Sequence, residues 1–379
     1  MYRDDFVRRI HSPGGDRRGS RSMHLDIPLL VILAVICLTG LFVLYSASGQ
    51  SLYLVKRQAV FMLFGFIAMI TVAQFPVRFW ERWAIVFYIG GLLALVAVMF
   101  YGVGAKGAQR WLDLGVTRVQ PSELMKVAVP MMVSSFLGKR YIPPSFQHIF
   151  ISLVLILLPV LLIVDQPDLG TAILVFTSGF FVLFLAGLGK RYLLSTFLLV
   201  MAAIPTLWVF VMRDYQKQRV LTLLSPEDDK LGAGWNIIQS TTAIGSGGLA
   251  GKGWMQGTQS QLNFLPESHT DFIIAVLAEE FGLIGVLALC IAYFLFVGRC
   301  MLIALNSQSQ FGRLIAGSLS LTFFIYIFVN MSMVSGILPV VGVPLPLISY
   351  GGTSVVALFL GFGILMAIST EPKRIRMDL

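Results

Sequence analysis

The chain has 379 residues, 57% hydrophobic and only 12% charged, with a mean hydropathy of +0.83 and a net charge of +9. A soluble domain carries about twice that charged fraction, so the composition excludes a water-soluble enzyme and requires lipid as solvent for much of the surface. The surplus of Lys and Arg is what the cytoplasmic loops of a membrane protein carry, and no basic and aromatic pattern for nucleic acid accompanies it.

In chain order, residues 1–24 form a basic tail with Arg3, Arg8, Arg9, Arg17, Arg18 and Arg21, expected to be disordered and cytoplasmic. The apolar segment 25–45 follows. It is too long for the core of a cleaved signal and long enough to span, so it reads as an uncleaved first helix. Nine further segments of spanning length lie at 54–74, 82–101, 120–137, 147–164, 168–187, 191–212, 271–297, 311–334 and 351–370. The expected fold is an all-α integral membrane protein of about ten transmembrane helices, one polytopic domain over 25–371, with a short cytoplasmic tail at 372–379.

Seventeen Lys and Arg fall on the side of the N-terminus and ten on the other, five of those ten in the connection 213–270. Short loops set orientation and long ones count for little, which predicts N-in, C-in. The connection 213–270, between the seventh and eighth spans, is then a long extracytoplasmic loop. Long loops are usually functional. The stretch 337–352 also faces out, and its three prolines predict a turn or re-entrant segment rather than a straight helix.

Three even-numbered spans begin on the outer side with acids. The fourth starts Gln120-Pro121-Ser122-Glu123, with Lys126 one turn on; the sixth starts Asp165-Gln166-Pro167-Asp168; the eighth starts His269-Thr270-Asp271. Each acid alone is an ordinary helix-start residue, and Asp165 is a candidate cap. Together they say more, because ionisable groups at membrane depth are costly and usually mark a site. Glu123 and Lys126 share one helix face. Outward-pointing helix N-termini attract phosphate, and Arg110, Lys252, Lys56 and Arg57 lie on the same side. An acidic catalytic residue beside an anion site suits a diphosphate-linked lipid.

The glycine run 245–253 fails as a nucleotide-binding loop, since that pattern requires Gly at Ser246 and Ser or Thr at Gly253. It reads either as a tight loop shaped around a head group or as a structural turn. Glu279 and Glu280, inside the eighth span, read as structural without a named partner. Trp80, Trp83 and Trp111 read as interfacial belt residues. Cys37, Cys290 and Cys300 and the four histidines have no zinc-ligand spacing, so no metal site built by the protein is expected.

Four stretches carry a family resemblance: KGAQRWLDLGVTRVQPSELMK at 106–126, DQPDLGT at 165–171, the run from Gln259 through His269-Thr270-Asp271-Phe272 to Gly285, and SGILPVVGVPLPLISYGG at 335–352. The chain resembles the SEDS family (shape, elongation, division, sporulation) over nearly everything after residue 24. Gly251-Lys252-Gly253-Trp254, Gly257–Leu262 and the short C-terminal tail are similar to the elongation branch, RodA, rather than the division branch, FtsW.

The resemblance implies a peptidoglycan glycosyltransferase that polymerises lipid II into glycan strands at the outer leaflet of the bacterial inner membrane, active site facing the periplasm, during elongation and rod-shape maintenance. It implies a class B penicillin-binding protein as transpeptidase partner. Asp271, by its place in the motif, is the expected catalytic base of an inverting transfer with undecaprenyl diphosphate leaving. Arg110, Lys126 and Lys252 are candidates for the diphosphate. Glu123 and Asp168 are candidates for orienting Lys126 or the acceptor, and His269 and Ser349 complete the substrate-binding set. A divalent cation, Mg or Mn, is an open possibility as an aid to the diphosphate. Two other readings share these features: a flippase for a lipid-linked precursor, which would need ionisable groups on both halves of the membrane, and a non-catalytic scaffold for a penicillin-binding protein, in which Asp271 is a helix-start acid.

Overall fold

Long apolar stretches in lipid must satisfy their own backbone hydrogen bonds, and helices do so within one segment. The protein is described here from a computed structural model covering residues 24–371 except 106–107, 114, 116–117, 207, 210–211, 213, 230–232, 263 and 266. The expected tails at 1–23 and 372–379 lie outside the described residues.

Among the described residues, each of the ten expected segments contains a helix. The first three are α1 (Ile27–Ala47), α2 (Leu52–Ala73) and α3 (Val77–Tyr101). A small antiparallel sheet then intervenes, β1 (Val103–Ala105), β2 (Ala108–Asp113) and β3 (Arg118–Val119), in the order β1-β2-β3. After it come α4 (Pro121–Gly138), α5 (Phe146–Asp165), α6 (Leu169–Leu185) and α7 (Lys190–Thr206). The expected long loop contains α8 (Asp214–Leu224), a 3-10 turn at Pro226–Asp229, α9 (Ala233–Gly247) and α10 (Thr258–Gln261). The last three are α11 (Ile273–Asn306), α12 (Gln310–Val334) and α13 (Gly352–Ser369). By length and apolarity, seven of these helices qualify as membrane spans among the described residues: α1, α2, α3, α5, α11, α12 and α13. The helix α6 is apolar but shorter, at 17 residues.

Exposed apolar side chains such as Leu63, Phe64, Leu93 and Phe294 coat the outside, a surface suited to lipid. Inside, helices approach closely through small residues, as membrane bundles do. A methyl group on Gly65 of α2 would stand 2.3 Å from the ring of Phe359 in α13. At the end of the bundle where the described chain begins, Asp26 caps α1 through Leu29 N–H at 3.0 Å. The same carboxylate accepts two hydrogen bonds from Arg299 of α11, at 3.1 and 2.7 Å, and one from Ser369 of α13. Removing Arg299 leaves a buried carboxylate without its cation, so Arg299→Met should cost about 2 kcal/mol. A lowered melting temperature of the detergent-solubilised protein checks this, and an unchanged one would show the clamp to be dispensable.

The longest helix is not continuous. At Gly282, φ is 66° and ψ is −162°, so the bonds that Leu283 and Ile284 would donate one turn back to Glu279 and Glu280 are open. The glycine run fills the gap. Lys252 and Gly253 N–H donate to the Glu279 and Glu280 carbonyls at 3.0 Å each, while Leu283 and Ile284 N–H donate to Gly248 and Leu249 at 2.9 and 3.1 Å. Trp254 stacks on Phe42 of α1, with centroids 4.5 Å apart. The structural turn is therefore the reading that fits this run: it splints a broken helix.

Candidate active site

Proline at the first helical position sets the start of α4 at Pro121, and the strand β2 ahead of it delivers Arg110 and Trp111 to the same end of the bundle. There a cleft of about 490 Å³ is lined by Arg110, Glu123, Lys126, Asp168 and Asp271, with Arg219, Asn236, Glu267, Tyr326 and Tyr350 among its other walls. Five of the eight expected site residues thus meet in one cavity.

Lys126 and Glu123 form an ion pair at 2.8 Å, with side chains only 6% and 7% exposed. Lys126 also sits 4.3 Å from the Tyr326 ring centroid, with its Nζ 3.3 Å from the phenol oxygen. A buried ion pair is a poor source of stability compared with apolar packing, so its presence here favours a functional role. Across the cleft, Asp168 caps α6 through Thr171 N–H and accepts from Gln120 Nε2 at 2.8 Å. Asp168, rather than Asp165, is the cap, because Asp165 is the last residue of α5. Arg110 donates to the Pro167 carbonyl and lies 3.9 Å from Asp168.

Asp271 does not stand in the first turn of α11. It belongs to a turn just before that helix, and the residue is half-buried. The turn is braced from several sides. Ser268 Oγ donates to Ala47 of α1 at 2.9 Å, Tyr350 N–H donates to the His269 carbonyl at 2.9 Å, and Asn330 Nδ2 donates to the Asp271 carbonyl at 2.9 Å.

Three expected residues lie outside the cleft lining. Lys252 pairs with Glu279 at 2.8 Å, inside the splint of α11. The Glu279 carboxylate also accepts from Gln259 N–H at 2.9 Å and Ser260 N–H at 3.2 Å, so its partners are now named. Ser349 Oγ accepts from Leu345 N–H at 2.8 Å and is buried, which gives it a turn-holding role. The His269 ring lies tilted against that of Tyr350, with centroids 6.3 Å apart. Among the tryptophans, Trp83 is exposed as a belt residue should be, but Trp80 is buried among Phe75, Phe79 and Phe87, and Trp111 lines the cleft.

Sequence reasoning missed Tyr326 and Asn330, although a signal existed: two polar residues four apart mark one face of an otherwise apolar helix. Arg219 and Asn236 were out of reach because their helices, α8 and α9, were read as loop. A second cleft, about 520 Å³, adjoins the first and shares Trp111, Tyr350 and Gly352 with it; Arg57 and Arg118 line it. Burial pushes the Tyr350 phenol above its ordinary value despite the opposing pull of Arg57.

This arrangement places the carboxylate-bearing Asp271 in a cavity that also holds three cations, Arg110, Lys126 and Arg219, with an acid beside each of the first two. Proton abstraction beside a site that neutralises a departing anion is the chemistry it suits.

A family model described as cell cycle protein, for FtsW, RodA and SpoVE, matches residues 24–374. The chain is 55% identical over 351 residues to the peptidoglycan glycosyltransferase MrdB of Escherichia coli K12, covering 93% of this chain and 95% of that one. It is 38% identical over 360 residues to a probable peptidoglycan glycosyltransferase FtsW of Geobacter metallireducens, covering 91% and 95%. Among solved structures it is similar to a chain of a peptidoglycan synthase complex that coordinates polymerization and crosslinking, with TM-score 0.80, 30% identity and coverage of 91% and 97%. It is also similar to the rod shape determining protein RodA of Thermus thermophilus, with TM-score 0.70, 27% identity and coverage of 92% and 97%.

Proposed function

This chain belongs to the cell-cycle protein family of FtsW, RodA and SpoVE, and from that premise we propose how it works as a peptidoglycan glycosyltransferase. It is a multi-pass membrane protein and an enzyme of that class. In this reading it polymerises lipid II during elongation. It lies in the bacterial inner membrane with its cleft open to the periplasm and its ends in the cytoplasm, an orientation supported by the distribution of Lys and Arg.

The observation that carries the reading is the convergence of Asp271 with Lys126 and Arg110 in one cleft. Asp271 takes the proton from the acceptor's C4 hydroxyl. The C4 oxygen bonds to C1 of the donor sugar as the bond from C1 to the diphosphate breaks. Lys126 and Arg110 meet the charge that develops on undecaprenyl diphosphate, while Glu123 and Asp168 hold those cations in place. One base without a carboxylate nucleophile gives inversion at C1. Two lipid-linked chains must be held at once, and the adjoining cleft, with Arg57 and Arg118, suits the second diphosphate.

A class B penicillin-binding protein as partner is supported by the similarity to a complex that couples polymerization to crosslinking. The ion pair at the opposite end of the bundle, between Asp26 and Arg299, is spent on tying α1 to α11. This favours a transferase over a flippase.

The test is direct. The purified protein with its cognate penicillin-binding protein should convert lipid II into glycan strands. Folded protein that makes none, beside an active control polymerase, would remove this reading in favour of transport or scaffolding.

A further inference from the structure

Among the groups that brace the turn carrying Asp271 is an amide near the C-terminal end of a membrane helix. Asn330 of α12 is fully buried. Its Nδ2 donates to the Asp271 carbonyl at 2.9 Å and to the Val343 carbonyl at 2.7 Å. Both partners are carbonyls, so the NH2 end of the amide must face them and both of its hydrogens are used. Its Oδ1 is buried and has no hydrogen-bond partner among the described residues.

Burying an acceptor in that state is costly, and such a group calls for an explanation. What Asn330 gains in return is geometric. It joins the turn 267–272 to the segment 340–344, and both line the cleft. Gly342, beside the tied Val343, has φ of 76°, and a methyl group there would stand 3.7 Å from Asp271 Oδ2. The amide therefore sets the backbone of Asp271 and the surface against which its carboxylate rests. Tyr326, one turn earlier on the same helix, contacts Lys126. One face of α12 thus supports both the carboxylate and the cation.

We propose that Asn330 is a positioning residue for the glycosyl transfer: its amide clamps the Asp271 turn to the 340–344 segment and so aims the Asp271 carboxylate at the acceptor hydroxyl. The assignment rests on the reading of Asp271 as base. Asn330 itself touches no substrate.

The experiment compares the full-length wild type with Asn330→Ala, Asn330→Ser and Asp271→Asn, each purified with the partner penicillin-binding protein and assayed on lipid II over a range of concentrations. Misplacing a reacting group by about 1 Å costs up to ~100-fold in rate. For Asn330→Ala, kcat should fall roughly tenfold to a hundredfold with KM within twofold, since substrate contacts are intact. The serine variant keeps one donor on a shorter arm and should fall between; it carries the test if the alanine variant does not fold. A merely structural Asn330 would lower the melting temperature and the active fraction while leaving kcat per folded molecule unchanged, and that result overturns the proposal. If Asp271→Asn stays active, the base assignment fails and this inference falls with it. If Asp271→Asn is inactive while both folded Asn330 variants turn over like the wild type, the inference alone fails.

Discussion

Asp271→Ala protein, purified with its partner and supplied with lipid II, is expected to form no detectable glycan strand. General-base catalysis contributes about 10²–10⁴-fold, and the other carboxylates lining the cleft are each engaged: Glu267 accepts from Thr270 Oγ1 at 2.8 Å. Glu123 is committed to Lys126 at 2.8 Å, and Asp168 is committed to the α6 cap and to Gln120. Asp271 is a half-buried residue in a turn that is tethered through the Asp271 and His269 backbone carbonyls and through Ser268, and these tethers remain in the variant, so it is expected to fold. The measurement pairs strand formation with thermal melting and co-purification of the partner. Strands from a folded, partner-bound Asp271→Ala protein would show that the proton leaves by another route.

The second large effect concerns stability. Gly282→Ala should cost roughly 3 kcal/mol or more, because two independent penalties coincide there. Its φ and ψ of 66° and −162° lie in a region open essentially to glycine alone, a strain of about 1–3 kcal/mol for any other residue. The added methyl group would also stand 2.4 Å from Gly251 N and 2.5 Å from the Leu249 carbonyl oxygen, both backbone atoms of the splint that cannot swing aside. Gly248 supplies the control. It too has positive φ, 57°, but nothing lies within 4 Å of an added methyl group. Gly248→Ala should therefore cost only about 1 kcal/mol. Thermal melting of the two variants side by side checks the contrast; equal losses would mean that the close packing of the splint on α11 contributes nothing.

The spans were legible in the sequence because the bilayer leaves few alternatives: an apolar run of spanning length has to be helical. The end of α11 was not. Gly298 and Arg299 looked like the start of a loop, yet the helix runs on to Asn306, with Arg299 held by Asp26. The sheet at 103–119 escaped because its strands are two to six residues long and its residues show no sustained alternation. The helices α8 and α9 escaped because they are short and more polar than the spans around them.

Within the candidate site, the acids and Lys126 stood out because charge at membrane depth is costly. The partner of Lys252 did not. Its position beside a glycine run suggested an anion, and the anion turned out to be Glu279, 27 residues further along the chain. Pairings across a tertiary fold leave no local pattern, and for the same reason Asn330 looked like any polar residue in a helix until Asp271 and Val343 were seen against it.

The splint in α11 also bears on how the chain is built. A span with two opened backbone pairs near one end would be a poor guest in a bilayer if it entered alone. Here every group that closes those pairs belongs to residues 248–253, and Phe42, which anchors the adjoining Trp254, belongs to α1. All of these are synthesised before α11. When the ribosome delivers the eleventh helix, the partners for its open bonds already exist on the same chain, so this span need wait for nothing downstream to complete its backbone.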